Sequence, residues 1–299
     1  MMLRRIRENR SFYLMVSPFF VLFAVFGLFP MLAALYLGFT HWDGLRAPRF
    51  VGLQNYVNIV GSPAFGQTVF NTVYVWLGST VLTVGIAFVL AYLINEYVLL
   101  GRSLLRMVFL LPLLVAPAVV AIITGVLFST NAGLLTAFMR LLTGDETWTY
   151  EWLASAGWLK PIIIFMIVWR FLGFHLVLFV AGLQTVPREL YEAARVDGAS
   201  GVSVFRNVTV PLMLPVVFFS ATSSTVGAFQ LFDEPWVLTG GTPGPEGSAE
   251  VLGTLLYRTG FVEFRLGTAS ALSWIIFALI AVFTVVNSRL LRSRAEPRG

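Results

Sequence analysis

The sequence predicts an all-α membrane protein of six transmembrane helices with both termini in the cytoplasm. Three observations carry this. Hydrophobic residues make up 58% of the 299 residues and charged residues 12%, against roughly 45–50% and ~25% in soluble domains. So few charges cannot cover such a core, and the same numbers exclude disorder. Six apolar stretches reach the roughly 20 residues that a helix needs to cross a bilayer core of about 30 Å. Arginine, finally, is distributed unevenly among the segments between them.

The stretches run approximately over Phe12–Phe39, Val69–Ile94, Leu104–Phe128, Pro161–Leu183, Val210–Phe232 and Thr268–Val286. The first follows Arg4, Arg5, Arg7 and Arg10, as a signal peptide would. Its apolar run is too long and no small-residue cleavage site follows, so it reads as a retained span. The second begins after polar Gln67 and Thr68. The fourth begins at Lys160-Pro161, where proline suits a first helical turn. With an internal amino terminus, thirteen arginines fall inside (Arg4, Arg5, Arg7, Arg10, Arg102, Arg106, Arg188, Arg195, Arg206, Arg289, Arg292, Arg294 and Arg298) and five outside (Arg46, Arg49, Arg140, Arg258 and Arg265). Lys160 and Arg170 lie at or within the fourth span. That asymmetry places both termini in the cytoplasm, which an even number of spans requires.

Outer segments Thr40–Gln67, Ser129–Lys160 and Asp233–Gly267 are long enough for short helices or turns. The last contains Gly240, Gly241, Pro243, Gly244, Pro245 and Gly247, which suit either a docking surface or a plain connection. Inside, the link near Asn95–Ser103 is short, and Gln184–Thr209 is not apolar but strongly patterned. The organisation read from this is residues 1–66 as tail, first span and outer loop; 67–290 as a five-helix core carrying the patterned loop at 184–211; and 291–299 as a tail. No internal repeat of the kind seen in inverted-repeat transporters is visible.

The composition also excludes chemistry. Without cysteine there is no disulfide, thiolate metal site or cysteine nucleophile. His41 and His175 are too few for a histidine metal cluster, and no metal site is expected. The single lysine, Lys160, follows Leu159, so the chain has no P-loop. The net charge of +5 is explained by basic loops at a membrane surface, without nucleic acid.

The patterned loop runs from Val186 to Pro211. Pro187 can open a helix, and Glu189 and Glu192 suit its positive end. Leu190, Ala193, Ala194 and Val196 give it an apolar side, and Asp197-Gly198 is a turn dipeptide. Val202, Phe205, Arg206 and Val208 form a second short amphipathic piece before Pro211 begins the next span. The small Ala193 and Ala194 let another protein approach closely; an ordinary surface loop would use the same alanines only for helix propensity.

Glu192-Ala193-Ala194, then Gly198, then Val208-Thr209-Val210-Pro211 resembles the EAA loop of ABC importer permeases. Val208 and Val210 stand where that family usually has Ile and Leu. The longer run Glu192–Ser200 resembles the carbohydrate branch of the binding-protein-dependent permeases, the maltose and glycerol-phosphate type. Ser17-Pro18, Phe29-Pro30, Phe50–Tyr56, Asn71-Thr72, Ala181–Gln184 and Val237–Pro243 agree, so the resemblance covers about residues 12–290. It implies the type I ABC importer permease fold in a bacterial or archaeal cytoplasmic membrane. It further implies a second permease, two ATPase subunits and an extracytoplasmic sugar-binding protein as partners. No cofactor would sit on this chain; ATP and Mg would sit on the ATPase. Glu192, Ala193, Ala194, Arg195, Asp197 and Gly198 would couple to that ATPase, and this chain would be a pore-forming subunit rather than an enzyme.

Within the spans, Arg170 lies near mid-membrane, where a charge costs roughly 2.5–3.5 kcal/mol on insertion scales and faces the interior or an aqueous path. It suits either a pathway or inter-subunit contact, or a structural pair with a carbonyl or a partner chain's carboxylate. His175 reads as a satisfied packing residue. Ser223, Gly227, Gln230 and Glu234 recur at intervals of four, three and four, one helical face, flanked by Phe229 and Phe232. Amides, hydroxyls and aromatic rings bind sugars, so Ser223, Gly227, Phe229, Gln230 and Phe232 are candidates for a substrate path; helix packing uses similar residues. Asp233 and Glu234 are expected at the outer end, capping or facing water. The alternative to an ATP-driven permease is an ion-coupled secondary carrier, which needs an intramembrane carboxylate that the span centres lack. A membrane-embedded enzyme lacks a zinc pattern or carboxylate pair.

Overall fold

The computed structural model describes residues 10–97 and 101–295. The expected tails before residue 10 and after residue 295, with Arg4, Arg5, Arg7 and Arg298, lie outside them. Among the described residues, five helices are long and apolar enough to cross a membrane: Leu14–Gly38, Pro63–Tyr97, Ala156–Leu183, Gly201–Phe229 and Leu266–Asn287. The count is six with one bent pair taken as a single span.

The first span is α1 (Arg10–Phe23), a π-turn at Ala24–Leu28 and α2 (Phe29–Gly38). A short antiparallel pair, β1 (Thr40–His41) and β2 (Arg49–Phe50), follows, with Thr40 opposite Phe50; it is a small β element within the expected all-α fold. Next come α3 (Gln54–Val60), α4 (Pro63–Tyr97), α5 (Arg102–Leu114), α6 (Pro117–Leu127), α7 (Leu134–Thr143) and α8 (Ala156–Leu183). Then follow α9 (Arg188–Val196), α10 (Gly201–Val204), a π-turn at Phe205–Thr209, α11 (Val210–Phe229), α12 (Asp233–Leu238), α13 (Leu252–Tyr257) and α14 (Leu266–Ala295).

Two departures from the expected spans have local causes. The stretch 104–128 is not one rod: α5 and α6 meet at 94°. Val115 and Ala116 are extended, with ψ of 133° and 138°, because the ring of Pro117 disfavours the helical conformation in the residue before it. The span expected to open at Pro211 instead starts at Gly201 and runs through the π-turn. Proline cannot donate to the helical ladder, and a π-turn is one way a helix absorbs such a break.

The described residues group into two compact units. One comprises residues 10–62 and 256–275. Asn55 holds it together: its buried side-chain amide donates to the carbonyls of Gly38 at 2.9 Å and Thr40 at 2.8 Å, and its Oδ1 accepts from Thr268 at 3.4 Å. Gly267 lies so close to the Thr40 carbonyl that a Cβ there would collide with it. In the outer turn, backbone N–H groups of Arg46 and Leu45 donate to Asp43 and hold its carboxyl below the usual range.

The other unit comprises residues 63–255 and 276–295 and centres on α4 and α8. One buried cluster joins Val75, Val120, Leu159, Ile163, Met166, Ile167, Leu231 and Val251; a second joins Phe88, Ala91, Tyr92, Leu176, Phe179, Leu183 and Met213. α5 approaches α8 where Gly173 meets the Phe109 carbonyl, a contact no larger residue permits. The segment after α12 is tied to α4 by buried Asn71, whose amide donates to the carbonyls of Gly247 at 2.9 Å and Glu250 at 3.0 Å. Lys160 donates to Asn71 Oδ1 at 3.2 Å.

Candidate functional site

Two features of the second unit carry chemistry. The first is an open cavity of about 360 Å³ lined by α4, α5, α8 and α11. Its polar lining is Ser79, Thr80 and Thr83 from α4, His175 from α8, and Ser223 and Ser224 from α11; Leu113, Ile167, Phe171, Phe174, Gly227, Ala228 and Leu231 complete it. No charged side chain lines it. His175 Nδ1 shares a hydrogen bond with Ser220 Oγ at 2.7 Å, and Nε2 with Ser224 Oγ at 3.2 Å. The hydroxyls of Thr80 and Thr83 are buried without a hydrogen-bond partner. A buried hydroxyl without a partner costs roughly 1–3 kcal/mol, and both of these residues border the cavity.

The residues singled out on the fifth span separate here. Ser223 and Gly227 line the cavity. Phe229 is fully buried, its ring against Trp76 at 6.0 Å and Phe283 at 5.0 Å between centroids; it packs the core and does not flank the cavity. Gln230 is exposed at the C-terminal end of α11, and Phe232 packs on Trp236; neither lines the cavity. The helical face expected to run from Ser223 to Glu234 ends at Phe229, because the chain leaves the helix there and re-enters one in α12.

Glu234 accordingly is neither a cap nor water-facing. It is 3% exposed and accepts from Arg170 Nη1 at 2.6 Å. The carboxylate that pairs with the mid-span arginine is thus in the same chain, brought there by the re-entry after α11, while Arg170 Nε is buried without a hydrogen-bond partner. The guanidinium also lies over the Phe171 ring at 5.0 Å. The span centres carry no carboxylate, as expected; the buried one that meets α8 comes from α12, between spans, and its charge is engaged by Arg170. His175 is satisfied as expected, and it lines the cavity as well. The α4 hydroxyls were missed; their signal is Ser79, Thr80 and Thr83 together on one turn of an otherwise apolar helix.

The second feature is the loop between α8 and α11. Pro187 is the N-cap of α9, and Gly198 has φ +77°. Gly198 N–H donates to the Arg195 carbonyl at 3.0 Å and Ala199 N–H to the Ala194 carbonyl at 2.9 Å. That pair of bonds is a Schellman ending, in which glycine takes the left-handed position at no steric cost. Ser200 caps α10 by accepting from Ser203 N–H at 3.3 Å. The loop is clamped to the end of α4: Arg195 pairs with Glu96, the Tyr92 hydroxyl donates to the Gly201 carbonyl at 3.3 Å, and Phe205 packs on Tyr92 and Phe88. Facing away are Ala193 and the apolar Leu190, Val196 and Val202, the last two 87% and 77% exposed. Beside them a polar hollow of about 330 Å³ gathers Arg102, Arg188, Glu192 and Arg195 with Asn95, Glu96, Gln184 and Tyr191.

A multi-pass helical bundle with a hydroxyl-lined cavity and a clamped helical turn presenting apolar side chains is the build of a permease subunit, not of an enzyme. Residues 83–295 match the family of binding-protein-dependent transport system inner membrane components, and the chain belongs to that family. It is 30% identical over 286 residues to the probable ABC transporter permease protein YurN of Bacillus subtilis (strain 168), covering 95% of this chain and 97% of that one. It is 30% identical to the lactose transport system permease protein LacF of Rhizobium radiobacter, covering 94% of each. In fold it resembles a chain of a bacterial ABC transporter involved in import of the acidic polysaccharide alginate, with a TM-score of 0.85 and 22% identity over 99% of both chains.

Proposed function

We propose that this chain is one of two permease subunits of an ATP-driven importer of a sugar or polyol. The cavity between α4, α8 and α11 is its part of the solute path. The turn Glu192–Gly198 receives an ATPase subunit, and a soluble extracytoplasmic protein delivers the solute. The termini lie in the cytoplasm, on the same side as that turn. The observation that carries this reading is the connection between the two features. The turn is clamped to the end of α4 and leads directly into α11, and these helices supply Thr80, Thr83, Ser223 and Ser224 to the cavity. Motion imposed on the turn thereby reaches the walls of the cavity. Uphill transport needs only that the motion change the solute's affinity between two states. ATP and Mg bind the ATPase, and this chain supplies no nucleotide site.

The test is Thr83→Val and Ser224→Ala in the complex reconstituted with its binding protein. Each removes a hydroxyl with little change of shape. Loss of one solute hydrogen bond, at about 0.5–1.5 kcal/mol, lowers uptake about twofold to tenfold, with assembly and basal ATP hydrolysis retained. Unchanged uptake kinetics in both variants removes the cavity from the path.

A further inference from the structure

We infer that α7 lies along the lipid headgroup–acyl boundary, on the bilayer face opposite the coupling turn, and ties the ends of α6 and α8 to lipid. The helix has two unlike sides. Toward the protein, Thr136 is fully buried and donates to the Ser129 carbonyl at 3.1 Å, and Arg140 Nε donates to the Trp148 carbonyl at 2.9 Å. Leu135 and Met139 are half-buried beside them. Away from the protein are Leu134, Ala137, Phe138, Leu141 and Leu142, all exposed, with Leu141 at 81%. Spacings of four, three and one between the large residues 134, 138, 141 and 142 make this a single stripe. No side chain in it carries a polar atom.

Three further observations name lipid as the occupant. α7 sits between α6, the far half of the bent span, which ends at Leu127, and α8, a full span that begins at Ala156. The chain thus enters and leaves α7 at the edge of the hydrocarbon. The segment between α7 and α8 carries Trp148 and Tyr150, stacked at 6.3 Å, and the first turn of α8 carries Trp158, all three partly or largely exposed; such amphipathic rings collect at headgroup level. Protein interfaces, by contrast, carry about one hydrogen bond per 100–200 Å² and a polar rim, and the stripe offers no side chain to make one. The attachment is hydrophobic and not electrostatic. Residues 128–155 contain one basic residue, Arg140, against Asp145, Glu146 and Glu151, so anionic headgroups add no attraction. One consequence is that the second permease and the delivery protein engage other surfaces of this chain.

The chain has no cysteine, so single cysteines give clean label sites. Ala137→Cys, Phe138→Cys and Leu141→Cys are spin-labelled in the full complex, with partner subunits stripped of cysteine, in phosphatidylcholine vesicles; Thr147→Cys is the water-facing control. Collision of the nitroxide with dissolved oxygen is expected to exceed collision with a water-soluble nickel chelate several-fold at 137, 138 and 141, and the order to reverse at 147. Adding phosphatidylglycerol leaves the values unchanged. Nickel exceeding oxygen on the stripe means that the face meets water and overturns the inference. Low collision with both means that a protein covers it and overturns it equally. Ala137→Cys, nearly isosteric, keeps the test valid if a larger replacement disturbs folding.

Discussion

Replacing Glu234 by glutamine tests the most consequential contact that the tertiary structure adds. The amide keeps the side chain's shape and one oxygen able to accept from Arg170, but it removes the charge. The pair is well buried, with side-chain exposures of 15% for Arg170 and 4% for Glu234, so water cannot take over the role of the carboxylate. Breaking a buried ion pair by removing one partner costs roughly 3–5 kcal/mol, because the other charge is stranded. The hydrogen bond that glutamine still accepts from the charged guanidinium returns about 1.5–3 kcal/mol, leaving a net loss of roughly 1–2 kcal/mol. At about 1.4 kcal/mol per decade, that is a roughly fivefold to thirtyfold shift toward a state in which α12 has left α8. Since α12 begins two residues after Leu231, which lines the cavity, uptake falls together with thermal stability. The assay pairs unfolding midpoints of the purified complex in nanodiscs with solute uptake in liposomes. Replacing both residues by methionine removes the stranded charge and is expected to restore most of the stability, since apolar replacements of buried pairs are often neutral. Wild-type stability and uptake in Glu234→Gln refute the reasoning, and so does a double variant as unstable as the sum of its singles.

At the coupling turn, Gly198→Val places a β-branched side chain at φ +77°, a conformation that strains it; the six spans still insert, while ligand-stimulated ATP hydrolysis by the reconstituted complex is lost. Glu192→Arg adds a fourth positive charge to the hollow already holding Arg102, Arg188 and Arg195 and also reverses the charge offered to the ATPase. If Glu192 anchors a buried cation of the ATPase, the loss is roughly 2–5 kcal/mol and the ATPase no longer co-purifies, whereas a role confined to the helix end is worth ~0.3–1 kcal/mol and leaves stoichiometric ATPase bound.

Features that depend on local composition and short spacing are legible in the residues alone. Span number follows from apolar run length, since the bilayer demands about 20 helical residues wherever it is crossed. The turn after α9 was legible because a Schellman ending is made by consecutive residues, and Asp197-Gly198 names it. The break in the third span was legible in principle, through Pro117, but apolar composition hid it, because hydropathy is blind to direction. Which distant polar groups meet is set by packing. Arg170 and Glu234 are 64 residues apart, and a helical wheel placed Glu234 on the face of Ser223 because periodicity assumes that the helix continues. The chain leaves it at Gln230, which turns the carboxylate toward Arg170 and leaves Gln230 outside the cavity. Packing against other helices likewise puts Thr80 and Thr83 at the cavity and Phe229 in the core. Inside a membrane nearly every face is apolar, so pattern no longer separates inside from outside, and only packing assigns each polar group its partner.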